Sequence, residues 1–132
     1  MGECLMSYLL DTCALIWLAM GGGKLSDQAK RRISSAAVLY YSPISVWEIA
    51  RLVAQEKIVL PVSPRDFIAD LARAYDLASL PLTDVIALEA AELPEYHKDP
   101  ADRFIIATAL HENLTVITGD EKFSPYGVRT MR

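Results

Sequence analysis

Short apolar runs alternate with longer segments of helical periodicity along this chain. The apolar runs predict buried strands at Tyr8–Leu10, Val38–Tyr41, Leu77–Leu80, Thr115–Thr118 and Val128–Met131. The segments between them predict helices at about Thr12–Met20, Ser26–Ala36, Ser45–Gln55, Ser63–Tyr75, Thr83–Glu92 and Asp99–Asn113. Because strands that alternate with helices form parallel sheets covered on both faces, the pattern predicts a single α/β domain over residues 1–132 with a mainly parallel sheet of four to five strands.

Four acidic residues stand near the predicted element boundaries. Asp11 directly follows the first strand and Asp120 the fourth, while Glu48 and Asp102 lie in the first or second turn of their helices. Parallel sheets bind ligands at the carboxyl ends of their strands, so we expect all four carboxylates to face one crevice. Carboxylates from distant positions are suitable ligands for a hard divalent cation.

Each acid also has an ordinary structural explanation. Asp11 could cap the helix that follows it, and Glu48 could be a solvated helical side chain. Asp99 and Asp102 form a capping-box-like pair, and Asp120 sits in a glycine-containing turn. Taken together, the acids favour metal ligation by Asp11, Glu48, Asp102 and Asp120, with Asp99 as the helix cap.

Other side chains beside these acids are candidates for supporting them or for contacting a substrate. Thr12 follows Asp11, and Thr118 could offer its hydroxyl to a ligand water or a phosphate. Arg103 could contact an RNA phosphate or form an ion pair with a nearby acid.

The ligand set consists of oxygen atoms only, which favours one or two Mg²⁺ or Mn²⁺ ions over zinc. His97 and His111 lack a partner for nucleophilic catalysis and are interpreted as surface or packing residues. Cys13 is interpreted as a small buried hydrophobe. Phosphodiester hydrolysis by a metal-activated water follows from this set, and a second ion would stabilise the leaving 3′-oxygen.

The net charge of −4 at first argues against a nucleic-acid ligand. The four proposed ligands account for that whole charge, and two divalent ions would reverse it locally. Charge therefore does not exclude RNA.

Hydrophobic residues make up 52% of the chain, which indicates that a partner covers some apolar surface. The two cysteines, Cys4 and Cys13, are too few for a disulfide framework and fit a reducing compartment. The N-terminal apolar stretch, which Asp11 interrupts, is too short for a membrane span and lacks the basic region of a signal peptide. We expect a cytoplasmic protein.

These acids lie within segments that resemble the motifs of PIN-domain ribonucleases of the VapC toxin type. In order, the four motifs are Leu9–Thr12, Ser45–Ala50, His97–Ala107 and Val116–Phe123. The resemblance runs from about Tyr8 to Arg129. It implies a PIN-like three-layer α/β/α fold, Mg²⁺ or Mn²⁺, endonucleolytic RNA cleavage, a cognate antitoxin covering the acidic site, and a homodimer.

The chain departs from that family pattern at two places beside the acids. Arg51 and Leu52 stand where a lysine is common, and Lys98 stands where arginine is frequent. Neither position is a proposed ligand, so the departures bear on substrate preference more than on catalysis.

Two alternatives remain open. An aspartyl-phosphate phosphatase would need a second acid where Cys13 stands, and a response-regulator receiver would need paired acids near the first strand, where Glu3 is the nearest candidate. A catalytically inactive PIN-like module would bind RNA or protein, and its sign would be the loss of one or more acids. None of the four is lost.

Overall fold

The computed structural model describes residues 6–132, so the expectation for Cys4 lies outside the described part. The five strands of this part are β1 (Ser7–Leu10), β2 (Val38–Tyr41), β3 (Leu77–Ser79), β4 (Thr115–Ile117) and β5 (Thr130–Met131). Its six α-helices are α1 (Thr12–Ala19), α2 (Asp27–Ser35), α3 (Pro43–Ala54), α4 (Pro64–Tyr75), α5 (Asp84–Glu92) and α6 (Pro100–Glu112), and a 3-10 helix spans Glu121–Tyr126.

The strands form one parallel sheet in the order β3-β2-β1-β4-β5. Leu9 in the central strand pairs with Tyr40 on one side and with Val116 on the other. The chain builds the sheet outward from β1 through β2 to β3, then crosses to β4. The switch point between β1 and β4 is where sheets of this kind bind ligands.

Alternating side chains of β1 enter two different cores, as the period of a strand requires. Tyr8 and Leu10 pack with residues of α1, α2, α3 and α4. Leu9 packs on the other face with Ile105 and Ile106 of α6, and α5 covers α6. The predicted three-layer α/β/α architecture is confirmed.

Helix α3 begins two residues earlier than the sequence pattern indicated. Ser42 is its N-cap and accepts a hydrogen bond from the Ile44 N–H at 3.1 Å, and Pro43 is the first helical residue rather than a residue before the helix. Proline is well tolerated there because that position has no intrahelical N–H bond to lose. β5 is also two residues shorter at its start than predicted. No helix of residues 6–132 is long and apolar enough to span a membrane.

Candidate active site

Asp11 connects the central strand to the first helix at the bottom of the site. Its side chain is buried, with one oxygen accepting the Ala14 N–H at 2.8 Å and the other accepting the Thr118 hydroxyl. Asp11 is therefore both a helix cap and a site carboxylate. Burial raises its pKa from 3.8 to about 6, and the charges of Asp120 and Glu48 act in the same direction.

Thr118 connects the ends of β1 and β4. Besides donating to Asp11, its hydroxyl accepts the Asp120 N–H at 3.0 Å. The side chain is buried, and its hydroxyl holds two of the acids in position. The contact of Thr118 with a ligand water or phosphate stays a prediction.

Glu48 lies in the second turn of α3. Its Oε1 atom is inaccessible to solvent and has no hydrogen-bond partner. Burial raises the pKa of the carboxyl group, the nearby Thr12 hydroxyl opposes that rise, and the charge of Asp99 adds to it. One turn earlier, Ser45 accepts the buried Thr12 hydroxyl at 2.9 Å, which joins the starts of α1 and α3. Thr12 thus supports the site and is too buried to reach a substrate.

The N-terminus of α6 carries two acids with different roles. Asp99 is the N-cap and accepts the Ala101 N–H at 2.9 Å, as the sequence predicted. Asp102, in the first turn, faces the other acids. Burial, followed by the charges of Asp99, Glu48, Asp11 and Asp120, raises the pKa of Asp102 to about 8. Asp102 and Asp120, together with His97, offer ligand atoms within 4.8 Å of one another, while Asp11 and Glu48 act on Asp102 through their charges.

Asp120 is the N-cap of the 3-10 helix. One carboxylate oxygen accepts the Lys122 N–H at 2.9 Å, and the other lies 2.9 Å from Nε2 of His97. Its side chain is 34% exposed, against 17% for Asp102, the other acid that contacts His97. The glycine-containing turn predicted here is thus the start of the 3-10 helix, and the carboxylate of Asp120 faces the site.

His97 belongs to the site, contrary to its interpretation as a surface or packing residue. Its buried Nε2 lies 2.9 Å from Oδ2 of Asp102 and 2.9 Å from Oδ2 of Asp120. The oxygen-only ligand set stays a prediction, although the His97 ring contacts two of the four predicted ligands. The available signal was position, since His97 precedes the Asp99 cap by two residues within the third motif.

Arg103 does not face a substrate. Its guanidinium group is largely buried and donates to five backbone carbonyl groups, those of Ala90, Ala91, Leu93, Pro94 and His97, at 2.7 to 3.3 Å. The expected RNA contact is corrected, because these carbonyl groups occupy both terminal nitrogens. The alternative ion pair amounts to a 4.0 Å approach to the exposed Glu95. Arg103 instead holds the segment between α5 and α6.

A cleft of about 500 Å³ opens over the acids. It is lined by Asp11, Cys13, Trp17, Asp102, Gly119, Asp120, Glu121, Lys122 and Arg132. Cys13 is exposed, not buried as expected. Partial desolvation and the surrounding carboxylates raise the pKa of its thiol to about 11, which disfavours the reactive thiolate.

Gly119 allows the backbone at the cleft to pack closely against the ring of Trp17. A Cβ atom built at this position would lie 2.5 Å from Cη2 of Trp17. A side chain at the position between Thr118 and Asp120 would therefore displace the ring of Trp17.

The fold and the site define a parallel α/β domain with an acidic cluster at the carboxyl ends of its strands. The chain belongs to the PIN domain family, whose model matches residues 8–128. It is 32% identical over 115 residues to "Ribonuclease VapC22" of Mycobacterium tuberculosis, an alignment that covers 86% of this chain and 87% of that protein.

Solved structures share the fold at lower identity. VapBC2 from Rickettsia felis, bound to a promoter DNA fragment, has a TM-score of 0.68 at 16% identity, covering 95% of this chain and 97% of that one. FitAcB from Neisseria gonorrhoeae has a TM-score of 0.63 at 22% identity, with coverage of 95% and 96%. VapC20 from Mycobacterium tuberculosis has a TM-score of 0.60 at 18% identity, with coverage of 92% and 95%.

Proposed function

We propose that this protein is a divalent-metal-dependent endoribonuclease that acts as the toxin of a toxin–antitoxin pair. The observation that carries the proposal is that Asp11, Asp102 and Asp120 line one cleft by the β1–β4 switch point, with Glu48 near enough for its charge to act on Asp102 and with one oxygen of Glu48 buried without a partner. The identity to a ribonuclease of the VapC type supports the reaction class.

The four carboxylates fit a hard cation. Without one, the charges of the neighbouring carboxylates add to the burial that raises the pKa values of Asp11 and Asp102, and an oxygen of Glu48 stays buried and unsatisfied. Mg²⁺ or Mn²⁺, as one or two ions held by Asp11, Glu48, Asp102 and Asp120, would relieve both costs. When bound, such an ion supplies Lewis-acid polarisation of the phosphate and activation of the attacking water.

The chain's own residues would place RNA over these acids. Lys122 and Arg132 bring positive charge to the cleft, where they can contact phosphates on either side of the cleaved bond. Trp17 offers an aromatic surface to an unstacked base. An open cleft of about 500 Å³ fits a loop or a single strand better than a continuous duplex.

The partner part of the proposal is a cognate antitoxin that covers the acidic cleft, as the toxin–antitoxin complexes among the structural neighbours suggest. The surface offers such a partner a separate apolar groove of about 820 Å³ between the end of α1, residues 58–62 and α4. Met20 is 76% and Val59 93% exposed there, so a partner would cover apolar surface that water now contacts.

We also propose a homodimer, formed through the outer surface of α5 and α6. Val85 and Leu88 lie one helical turn apart on α5 and are 51% and 64% exposed, and Leu110 on α6 is 41% exposed. A 3.2 Å contact between Glu89 and His111 joins the two helices at this surface. We call Val85, Leu88 and Leu110 the α5–α6 patch.

The test is cleavage of total bacterial RNA by the purified, antitoxin-free protein, with Mg²⁺ or Mn²⁺ and with chelator. Asp11→Asn should abolish cleavage, because it removes a charge from the cluster while an amide oxygen can still cap α1. Asp70→Asn is the matched control, since Asp70 is an exposed acid on α4 outside the site.

Discrete cuts that need metal, vanish with Asp11→Asn and persist with Asp70→Asn would support the proposal. Absence of cutting by folded, metal-loaded protein would favour the RNA- or protein-binding module. Cutting that survives Asp11→Asn would contradict the assignment of the site.

A further inference from the structure

The backbone of His97 is anchored on both sides. Its N–H donates to the Tyr126 hydroxyl at 2.6 Å, and that hydroxyl donates onward to the Pro94 carbonyl at 2.7 Å. Its carbonyl accepts from Arg103 at 3.1 Å, and the edge of its ring packs against Phe123 with centroids 6.0 Å apart. These contacts leave the imidazole little freedom to turn.

The ring's own hydrogen bonds determine its tautomer. Nδ1 accepts the Asp99 N–H at 3.3 Å, so it carries a lone pair and the neutral ring has its proton on Nε2. That Nε2–H points at Oδ2 of Asp102 and Oδ2 of Asp120, each 2.9 Å away. One N–H thus bridges two carboxylates whose oxygens lie within 4.8 Å of each other.

A metal ligand would need the opposite tautomer. Ligation through Nε2 requires a lone pair there and moves the proton to Nδ1, where it would meet the Asp99 N–H. The set His97, Asp102 and Asp120 has spacing that could suit a transition metal. The hydrogen bond from the Asp99 backbone opposes that use.

We propose that His97 is a positioning residue of the metal site: it donates Nε2–H to Asp102 and Asp120, holds them together and is not itself a metal ligand. This role rests on the proposed metal-dependent function. Because the Lys122 N–H holds the second oxygen of Asp120, that side chain is held from two sides. The site thereby keeps an oxygen-only ligand set although a histidine lies within it.

Two substitutions separate donation from ligation. His97→Gln keeps an N–H donor at a similar distance from the backbone and removes the imidazole, whereas His97→Leu removes the donor. The probe is Mn²⁺ alone, measured by calorimetric titration and by pulsed electron paramagnetic resonance, which detects nitrogen bound directly to Mn²⁺. Unfolding in chelator shows whether each variant folds.

We expect no directly coordinated nitrogen in the parent, Mn²⁺ affinity near that of the parent for His97→Gln, and affinity about tenfold or more lower for His97→Leu. A nitrogen signal in the parent that disappears in His97→Gln would overturn the proposal, as would unchanged affinity in a folded His97→Leu. If His97→Leu fails to fold, the parent and His97→Gln spectra decide the matter.

Different results would overturn the proposed nuclease function and the proposed role of His97. A parent that binds no Mn²⁺ overturns the metal site, and with it both proposals. A parent that binds Mn²⁺ without nitrogen coordination and with affinity sensitive to His97→Leu, yet cuts no RNA, supports the role of His97 and overturns only the nuclease.

Discussion

Ionisation of Asp11 and Asp102 is costly because burial and neighbouring carboxylates disfavour their charged forms, and a bound cation would offset that cost. Asp11 and Asp102 have folded-state pKa values of about 6 and about 8, against 3.8 for an ordinary aspartate. The folded state therefore binds their protons more tightly than the unfolded chain does. Stability from these groups is complete below pH 3.8 and is lost as the pH rises through the folded-state values.

We therefore expect the metal-free protein to be less stable at pH 8.5 than at pH 5. The free energy of unfolding should fall by roughly 1.4 kcal/mol per pH unit for each group that titrates between its two pKa values. Urea unfolding in chelator at both pH values measures this. Asp102→Asn should flatten the dependence, and Mg²⁺ should restore stability at pH 8.5. Greater stability of the metal-free parent at pH 8.5 would contradict the clustering of these charges.

At this scale the sequence predicted single residues well where the chemistry is local. Asp99 was recognisable as a cap because capping involves neighbours in the chain. His97 and Cys13 were misjudged because their surroundings come from strands and helices distant in sequence. A histidine near a helix start gives no sign of which carboxylates will meet its ring.

The segment between α5 and α6 has no regular secondary structure, and the side chain of Arg103 holds it in place. Five carbonyl groups of residues 90–97 accept hydrogen bonds from Arg103, so this one side chain connects α6 to the end of α5 and to the loop that carries His97. The flat guanidinium group reaches carbonyls in several directions, which an ammonium group cannot do.

Arg103→Lys should therefore lower the free energy of unfolding by about 2–4 kcal/mol, since most of these carbonyl groups lose their partner. It should also weaken Mn²⁺ binding, because the backbone of His97 is freed. Chemical denaturation in chelator and titration with Mn²⁺ are the measurements. Arg73→Lys, at an exposed arginine that only approaches Asp70 at 3.4 Å, should change stability by less than about 0.5 kcal/mol. Equal effects of the two substitutions would contradict the role given to Arg103.

Element types were more predictable than element ends. Apolar runs identified all the strands of the described sheet, yet α3 starts two residues before its predicted start, because Ser42 rather than a later residue supplies the cap. In the structure Asp11, Asp102 and Asp120 line one cleft, as the strand-end rule predicted for them, whereas Glu48 is not among its lining residues. The rule could not show that the hydroxyl groups of Thr118 and Thr12 would form hydrogen bonds that connect elements beneath the site.

At the scale of the whole molecule, seven of the nine exposed large hydrophobic side chains among the described residues lie in the groove or in the α5–α6 patch, and Trp47 and Tyr96 lie outside both. The groove beside α1 and α4 is concave, as a surface for an antitoxin segment would be. The α5–α6 patch lies instead on the outer helical layer, where two copies of this chain could pack symmetrically. Composition predicted that surface would be covered, but only the fold shows that there are two such places.

Leu88→Lys should convert a dimer to a monomer, because it puts a charge into the centre of the α5–α6 patch. Light scattering should give the parent a mass of twice 14.6 kDa and the variant 14.6 kDa. Leu88 is 64% exposed, so the fold should be unaffected, which circular dichroism can check. Val59→Lys, at a residue 93% exposed in the groove, is the matched control and should stay dimeric. Dissociation by Val59→Lys but not by Leu88→Lys would move the dimer interface to the groove, and a monomeric parent would exclude the homodimer at the concentration measured.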